Sequence, residues 1–309
     1  MEGKNEMTRE LPVWRSLLYV PVNVEKFVEK AHTRGADVIQ LDLEDAVPPA
    51  EKENARTLVE KNAARVRRGG ADVVVRINQP LALAVRDLEH SICPDVDAIA
   101  VTKVDSASHV KLLAELVSEL EDKRGMTAGH TRFIAMIETA AAFFHIHEIV
   151  RAHPRIVACN IGGEDFALDC NMQPTGETLL YPKQHMIIAA NAAGIIPLGF
   201  ADTVAGFGDW DKFRKMVRRS RDFGFMGAGC IHPGQVTIVN EEYKPSADEV
   251  AYARKVIQLD QEAAAGGRGS FQIDGKMIDI PVVVRARKLL RRHEAIQRRE
   301  ERTVAAAKA

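Results

Sequence analysis

Eight short apolar runs constrain this chain more than any other feature: residues 16–20, 36–41, 72–77, 97–101, 133–137, 156–161, 194–197 and 227–231. They are rich in Val and Ile and mostly unbroken rather than alternating, as strands covered on both faces of a parallel sheet are. Segments with apolar positions at helical spacing lie between or after most of them, at 25–34, 51–67, 107–120, 140–152, 179–193, 209–223 and 247–264. Eight strand-then-helix units predict an α/β fold, a TIM (β/α)8 barrel over residues 1–265. Residues 266–309 then form a glycine-rich hinge at 266–269, a lid segment at 270–280 and a basic terminal helix from Pro281 to about Arg302.

Charges are few in the runs and cluster where the runs finish: Asp42, Glu44 and Asp45, Lys103, Glu138, Asp165 and His232, with Arg76 inside the third run. In such a barrel these places share one rim, where active sites are built. Glu138 and Asp165 follow adjacent runs. Either they share one hard cation such as Mg²⁺, which needs only one or two protein carboxylates, or each pairs with an arginine or caps the next helix. Arg76, in an otherwise apolar strand, must meet an anion: a substrate carboxylate, or Asp42, Glu44 or Glu138 within the protein. Lys103, Arg76 or Lys52 would relieve the repulsion within Asp42, Glu44 and Asp45. His232, before a proline, is either a base or a residue that fixes its loop. His145 and His147 alternate within a helix and cannot make an i, i+4 metal pair.

With 42 Lys+Arg against 43 Asp+Glu, the chain lacks the positive excess that nucleic-acid or membrane-surface partners select. Arg285, Arg287, Arg291 and Arg292 of the terminal helix are interleaved with Glu294, Glu300 and Glu301 and read as a solvated face. Cys93, Cys159, Cys170 and Cys230 are far apart and read as reduced thiols. Charges fill the N-terminal segment where a signal peptide needs an apolar run, so the expected location is the cytoplasm.

Several motifs in order, RSLLYVP at 15–21, DVIQLDLEDAVPPAEKENAR at 37–56, VVVRIN at 73–78, AMIETAAA at 135–142, IGGEDFALD at 161–169, GFMGAGCIHPGQV at 224–236, KPSADEV at 244–250 and DGKMID at 274–279, span nearly the whole chain. With them the sequence resembles the citrate lyase β-subunit-like group of the HpcH/HpaI aldolase superfamily, which includes citryl-CoA, malyl-CoA and citramalyl-CoA lyases. The resemblance implies that Glu138 and Asp165 hold Mg²⁺, a position Mn²⁺ can also take, and that Arg76 grips the carboxylate or oxyanion of the acid. It implies that Glu44 and Asp45 order metal-bound water and neighbouring lysines, and that Lys30 and Lys103 lie near the CoA-linked substrate. Asp279, in a lid reaching into a neighbouring subunit's site, would be the general acid/base, making the functional unit a homo-oligomer, a trimer or hexamer. The bland reading of Asp279 is a cap for the helix that Pro281 opens. Val22, Asn23 and Val24 stand where many relatives place a glycine and an arginine that bind CoA phosphates, and Gly227-Ala228 replaces a common Gly-Lys.

The implied reaction is Mg²⁺-dependent cleavage, or formation, of a 3-hydroxyacyl-CoA thioester, giving an acyl-CoA and a small 2-oxo acid. Two alternatives use the same residues: thioester hydrolysis or a malate-synthase-like condensation, and a citrate-lyase-type subunit active only with acyl-carrier partners.

Overall fold

The computed structural model describes residues 10–203, 208–266, 270–273, 275–306 and 308. Eight parallel strands, β1 (Ser16–Pro21), β2 (Val38–Asp42), β3 (Asp72–Ile77), β4 (Ala98–Val101), β5 (Arg132–Ile137), β6 (Ile156–Ile161), β7 (Ile196–Leu198) and β8 (Ala228–Cys230), pair in chain order from β1 to β7. β8 returns to β1 through Ser16↔Ala228, Leu17↔Gly229 and Leu18↔Cys230. A single parallel bridge, Leu198↔Gly227, closes the remaining seam between β7 and β8. The result is the TIM-like barrel that the apolar runs predict.

Alternation along each strand sorts the side chains into two shells. Leu17, Val38, Val74, Ala98, Ile134, Met136, Ala158 and Leu198 fill the barrel interior over the fully buried Trp14. Leu18, Ile39, Val73, Val75, Ile99 and Phe133 face outward into the helix layer. Continuing the inward phase by two residues per step brings Tyr19, Arg76, Glu138 and Asn160 to the C-terminal mouth. The strand pleat therefore selects which charges can meet there.

The helical layer departs from expectation in places. The helix expected over 51–67 breaks at Leu58 into Lys52–Thr57 and Val59–Val66. The one expected over 140–152 breaks at His145 into Ala140–Phe144 and Ile146–Ile149. A helix at Leu81–Ser91 was not anticipated: its inward positions are Ala84, Asp87, Leu88 and Ser91, so half of the buried face is polar and the apolar period is masked. Asp87 is satisfied there by Arg56, at 2.5 Å, and by the Asn78 N–H, at 2.8 Å. The seventh strand starts two residues later than expected because Gly194 takes a left-handed conformation, φ 68°, and ends the preceding helix.

The terminal helix, Ile280–Ala306, keeps Arg285, Arg287 and Arg291 on a solvated face as expected and corrects the expectation for Arg292, which is half-buried and donates to the Met226 carbonyl at 3.0 Å. Arg285, Arg287, Arg291 and Arg298 are exposed, but Arg299 is buried and its Nη1 lies 2.9 Å from Asp72 Oδ1. Arg302 reaches the same oxygen at 2.7 Å, and Glu300 pairs with Arg15 at 2.8 Å and Lys244 at 2.6 Å. Arg15 in turn clasps Asp37, and Trp14 Nε1 donates to Asp72 at 2.7 Å. Buried carboxylates at the starts of β2 and β3 need cations; Arg15 supplies the first and the terminal helix the second. An antiparallel hairpin, β9 (Phe271–Ile273) with β10 (Lys276–Ile278), packs with this helix and with the helix Ala247–Ala265 around Val256, Ile273, Ile278 and Val283. Of the expected hinge at 266–269, Gly266 closes the preceding helix and residues 267–269 lie outside the described residues. The four cysteines are free thiols, and among the described residues no helix is long and apolar enough to cross a membrane.

Candidate active site

A cavity of about 950 Å³ opens at the C-terminal mouth of the barrel. Asp42, Asp45, Arg76, Glu138 and Asp165 line it, together with Tyr19, Asn160 and the backbone of Gly162 and Gly163. The strand ends thus bring together most of the residues singled out from the sequence.

Arg76 meets internal anions. Asp42 takes both Nε, at 2.8 Å, and Nη2, at 2.6 Å, while Nη1 lies 2.7 Å from Glu44 Oε2 and 3.4 Å from Asp45 Oδ2. The guanidinium also stands 5.1 Å from the Tyr19 ring centroid. Glu138, one of the three internal partners considered, is not among its ion pairs. Burial alone would lower the Arg76 pKa, but the Asp42 pairing reverses this and holds the group charged. Asp42 therefore fixes the fork, and only Nη1, shared between Glu44 and Asp45, can be exchanged for an incoming anion.

Lys103 is the junction of the cluster. It adopts φ 47°, in the left-handed region that a lysine seldom visits, a strain typical of functional sites. Its backbone N–H donates to Glu138 Oε2 at 2.7 Å, and its ammonium reaches Glu44 Oε1 at 3.0 Å and Asp165 Oδ1 at 3.3 Å. Burial raises the Glu44 carboxyl, against the pull of Arg76 and Lys103. Lys52 contributes differently from expectation, donating to the carbonyls of Leu43 and Glu44, at 2.9 Å each, and to Asn78 at 2.6 Å. It pins the acidic loop by its backbone and does not pair with its carboxylates.

Glu138 is 2% exposed, and burial pushes its carboxyl up to about 7, opposed by the Lys103 N–H. Its other oxygen lies against Gly162, where a Cβ would stand within 2.5 Å of Glu138 Cγ. The glycine is a cradle for this carboxylate. Five carboxylates, Asp42, Glu44, Asp45, Glu138 and Asp165, face two cations, Arg76 and Lys103. Among the described residues no group of three or more His, Cys, Asp or Glu side chains could hold an ion by itself. A two-carboxylate, oxygen-only donor set with excess negative charge suits a hard cation that keeps water and substrate in its shell, so Glu138 and Asp165 fit Mg²⁺.

Two expected site positions fall away from the cluster, and a third lines the cavity while holding its loop. Lys30 is exposed on the helix Glu25–Ala31, outside the cavity lining, where Arg34 is the nearer cation. Asp279 is exposed at the start of the terminal helix, its carbonyl accepting from the N–H groups of Val282 and Val283, and it does not line the cavity of its own chain. His232 lines the cavity, but its Nδ1 accepts from the Gly234 N–H at 3.0 Å and caps the helix Pro233–Glu242, the loop-fixing role. One residue escaped sequence reasoning. Lys183 lines the cavity while buried in the helix Leu180–Ala193, and its signal was a lysine in register with the apolar positions Leu179, Met186 and Ala190.

Comparison with known proteins agrees with this geometry. The chain is 33% identical over 280 residues to a citrate lyase subunit beta of Leuconostoc mesenteroides subsp. cremoris, covering 90% of this chain and 92% of that one. It is 32% identical to an L-malyl-CoA/beta-methylmalyl-CoA lyase of Cereibacter sphaeroides, covering 91% and 95%. The protein CitE from Mycobacterium tuberculosis, solved in complex with magnesium, acetoacetate and coenzyme A, superposes with a TM-score of 0.70 at 28% identity, over 90% of this chain and 97% of that one. Residues 15–233 match the family described as HpcH/HpaI aldolase/citrate lyase. A barrel whose mouth holds these carboxylates beside a fixed arginine, in a chain so related, is a carbon–carbon lyase, and the chain belongs to the HpcH/HpaI aldolase/citrate lyase family.

Proposed function

We propose that this enzyme cleaves, or in reverse forms, a 3-hydroxyacyl-CoA thioester of the citryl, malyl or citramalyl type, releasing an acyl-CoA and a 2-oxo acid. The observation that carries the reading is the convergence of Glu138, Asp165 and Arg76 on one cavity. Glu138 and Asp165 would hold Mg²⁺, which when bound supplies Lewis-acid stabilisation to the oxygen that becomes the oxo group. Arg76, its fork fixed by Asp42, turns Nη1 from Glu44 to the carboxylate of the acid. Glu44 and Asp45 receive that donor again when the site empties. Lys103 keeps Glu138 in place through its N–H and offsets the charge of Asp165. Apolar lining from Met136 and Phe200 excludes water from the enolate that C–C cleavage leaves on the acyl-CoA. Asp279, supplied by a second copy of this chain, moves the proton, and the working unit is a homo-oligomer, a trimer or hexamer.

The test is a panel of 3-hydroxyacyl-CoA substrates followed for 2-oxo-acid release with and without Mg²⁺. Metal-dependent release of the oxo acid with the acyl-CoA retained is expected, and Asp165→Asn should weaken metal binding and abolish turnover in a folded protein. Release of free CoA without oxo acid would replace the lyase reading with a thioesterase. Turnover only of carrier-bound substrates would replace it with a partner-dependent subunit.

A further inference from the structure

Lys183 stands apart from the other cations of the cavity. Arg76 is held by Asp42, Glu44 and Asp45, with only Nη1 exchangeable, and Arg34 is exposed at the edge. Lys183 is 6% exposed, on a helix face otherwise made of Met186, Ile187, Ala189 and Ala190. Its ammonium has one hydrogen bond, to the Asp202 carbonyl at 3.0 Å, and among the described residues no carboxylate lies within ion-pair distance. An ammonium carries three donors, so two remain for the cavity it lines. The carboxylates of Asp202 and Glu164 act on it only from a distance, and burial lowers its pKa to about 8. A buried cation without a counter-ion is costly, and a methionine would fill the same place on this apolar face without that cost. Among the described residues none supplies a counter-ion at ion-pair distance, and a ligand anion entering the cavity would.

Its place on the rim identifies which anion. Arg76 enters from β3, Glu138 and Asp165 follow β5 and β6, and Lys183 follows β6 and is tied to the segment after β7. The carboxylate pair therefore stands between the two cations around the ring. An acid whose reacting end lies at the pair and whose first carboxylate meets Arg76 points any further substituent toward Lys183.

We propose that Lys183 is a specificity-determining residue that binds a second carboxylate on the oxo-acid half of the substrate, so that the enzyme prefers thioesters yielding a 2-oxo dicarboxylic acid. This rests on the lyase reading above. Citryl-CoA and citramalyl-CoA isolate the group, because they differ in a carboxymethyl against a methyl at the same carbon.

Wild type, Lys183→Met and Lys183→Arg are assayed with both thioesters and Mg²⁺, and oxaloacetate and pyruvate are titrated calorimetrically into each protein with Mg²⁺. Wild type is expected to favour citryl-CoA. Lys183→Met should lower kcat/KM for citryl-CoA by about 10- to 100-fold, chiefly through KM, while citramalyl-CoA changes by less than about threefold. Lys183→Arg should restore part of the difference. Oxaloacetate binding should weaken in Lys183→Met and pyruvate binding should not. Equal losses for both thioesters, an unchanged ratio in a folded Lys183→Met protein, or a wild type that favours citramalyl-CoA would overturn the proposal. If wild type cleaves neither thioester, the lyase reading fails, and the oxo-acid titrations alone decide the role of Lys183.

Discussion

Adding one methyl group at Gly162 should separate metal binding from folding. Gly162 has φ −75° and ψ 92°, a conformation open to alanine, so the substitution carries no backbone penalty. Its consequence is steric: the new Cβ would lie within 2.5 Å of Glu138 Cγ and 2.8 Å of Cδ. Restoring ordinary contact displaces the carboxylate by roughly 1 Å, several times the ~0.2 Å within which metal–ligand distances are held. Glu138 cannot simply slide, because its far oxygen is tied to the Lys103 N–H at 2.7 Å. Gly162→Ala should therefore raise the Mg²⁺ concentration for half-activation by about 10- to 100-fold. Because the atoms that must give are the far end of a side chain facing a cavity, the stability cost should stay near ~1 kcal/mol, the low end for overpacking. Mg²⁺ titration by calorimetry and activity, with thermal melting in parallel, measures both. Gly163→Ala, whose Cβ meets only Leu179 Cδ1 at 3.0 Å, is the control. A folded Gly162→Ala protein with wild-type Mg²⁺ affinity would show that Glu138 is not a ligand from this position.

Asp279→Ala and Asp165→Asn proteins should each be inactive, and mixing them under conditions of subunit exchange should restore part of the activity, since hybrids pair an intact metal site with an intact lid. No recovery despite demonstrated exchange would leave Asp279 the helix-capping role alone. Glu121 tests the acid limb of stability: burial raises its carboxyl, but Arg155 Nη2 at 2.6 Å and the N–H groups of Thr131 and Gly129 outweigh burial and leave it at about 2. A depressed carboxyl stabilises the fold above its ordinary pKa, and that contribution disappears as pH falls from about 4.5 through about 2. Glu121→Gln should cost ~3 kcal/mol at pH 7 in urea unfolding and should lose little further stability across that acid window; equal acid sensitivity in the two proteins would refute this.

The barrel was legible because β2 to β6 are buried on both faces and say so in continuous Val and Ile, while the pleat carries Arg76 and Glu138 inward by parity. The helix Leu81–Ser91 was hidden by Asp87 and Ser91, polar residues that become buried only because Arg56 and Asn78 arrive from other elements. Arg76 was recognisable as needing an anion, yet only the register of β2 against β3, which sets Asp42 beside Arg76, decides which one takes the fork. Lys103 was placed at the mouth by its position after β4, but its backbone strain and double hold on the cluster belong to the folded rim. Arg299 was the reverse case: its alternation with glutamates resembles a surface helix, and nothing local records that Asp72, 227 residues earlier, lies beneath it.

That separation imposes an order on assembly. Asp37 and Asp72 leave the ribosome more than two hundred residues before Arg299, and Arg15 waits still longer for Glu300, 285 residues later. While the first three strands are already made, with Arg15 beside Asp37, the lower end of β3 carries Asp72, whose cations Arg299 and Arg302 have not been synthesised. The half-built sheet thus carries an electrostatic debt that disfavours premature closure, and the last turns of the chain act as a latch. The floor of the barrel is not fully secured until Arg299 has been made, so a chain stopped short of residue 299 would leave Asp72 without that partner.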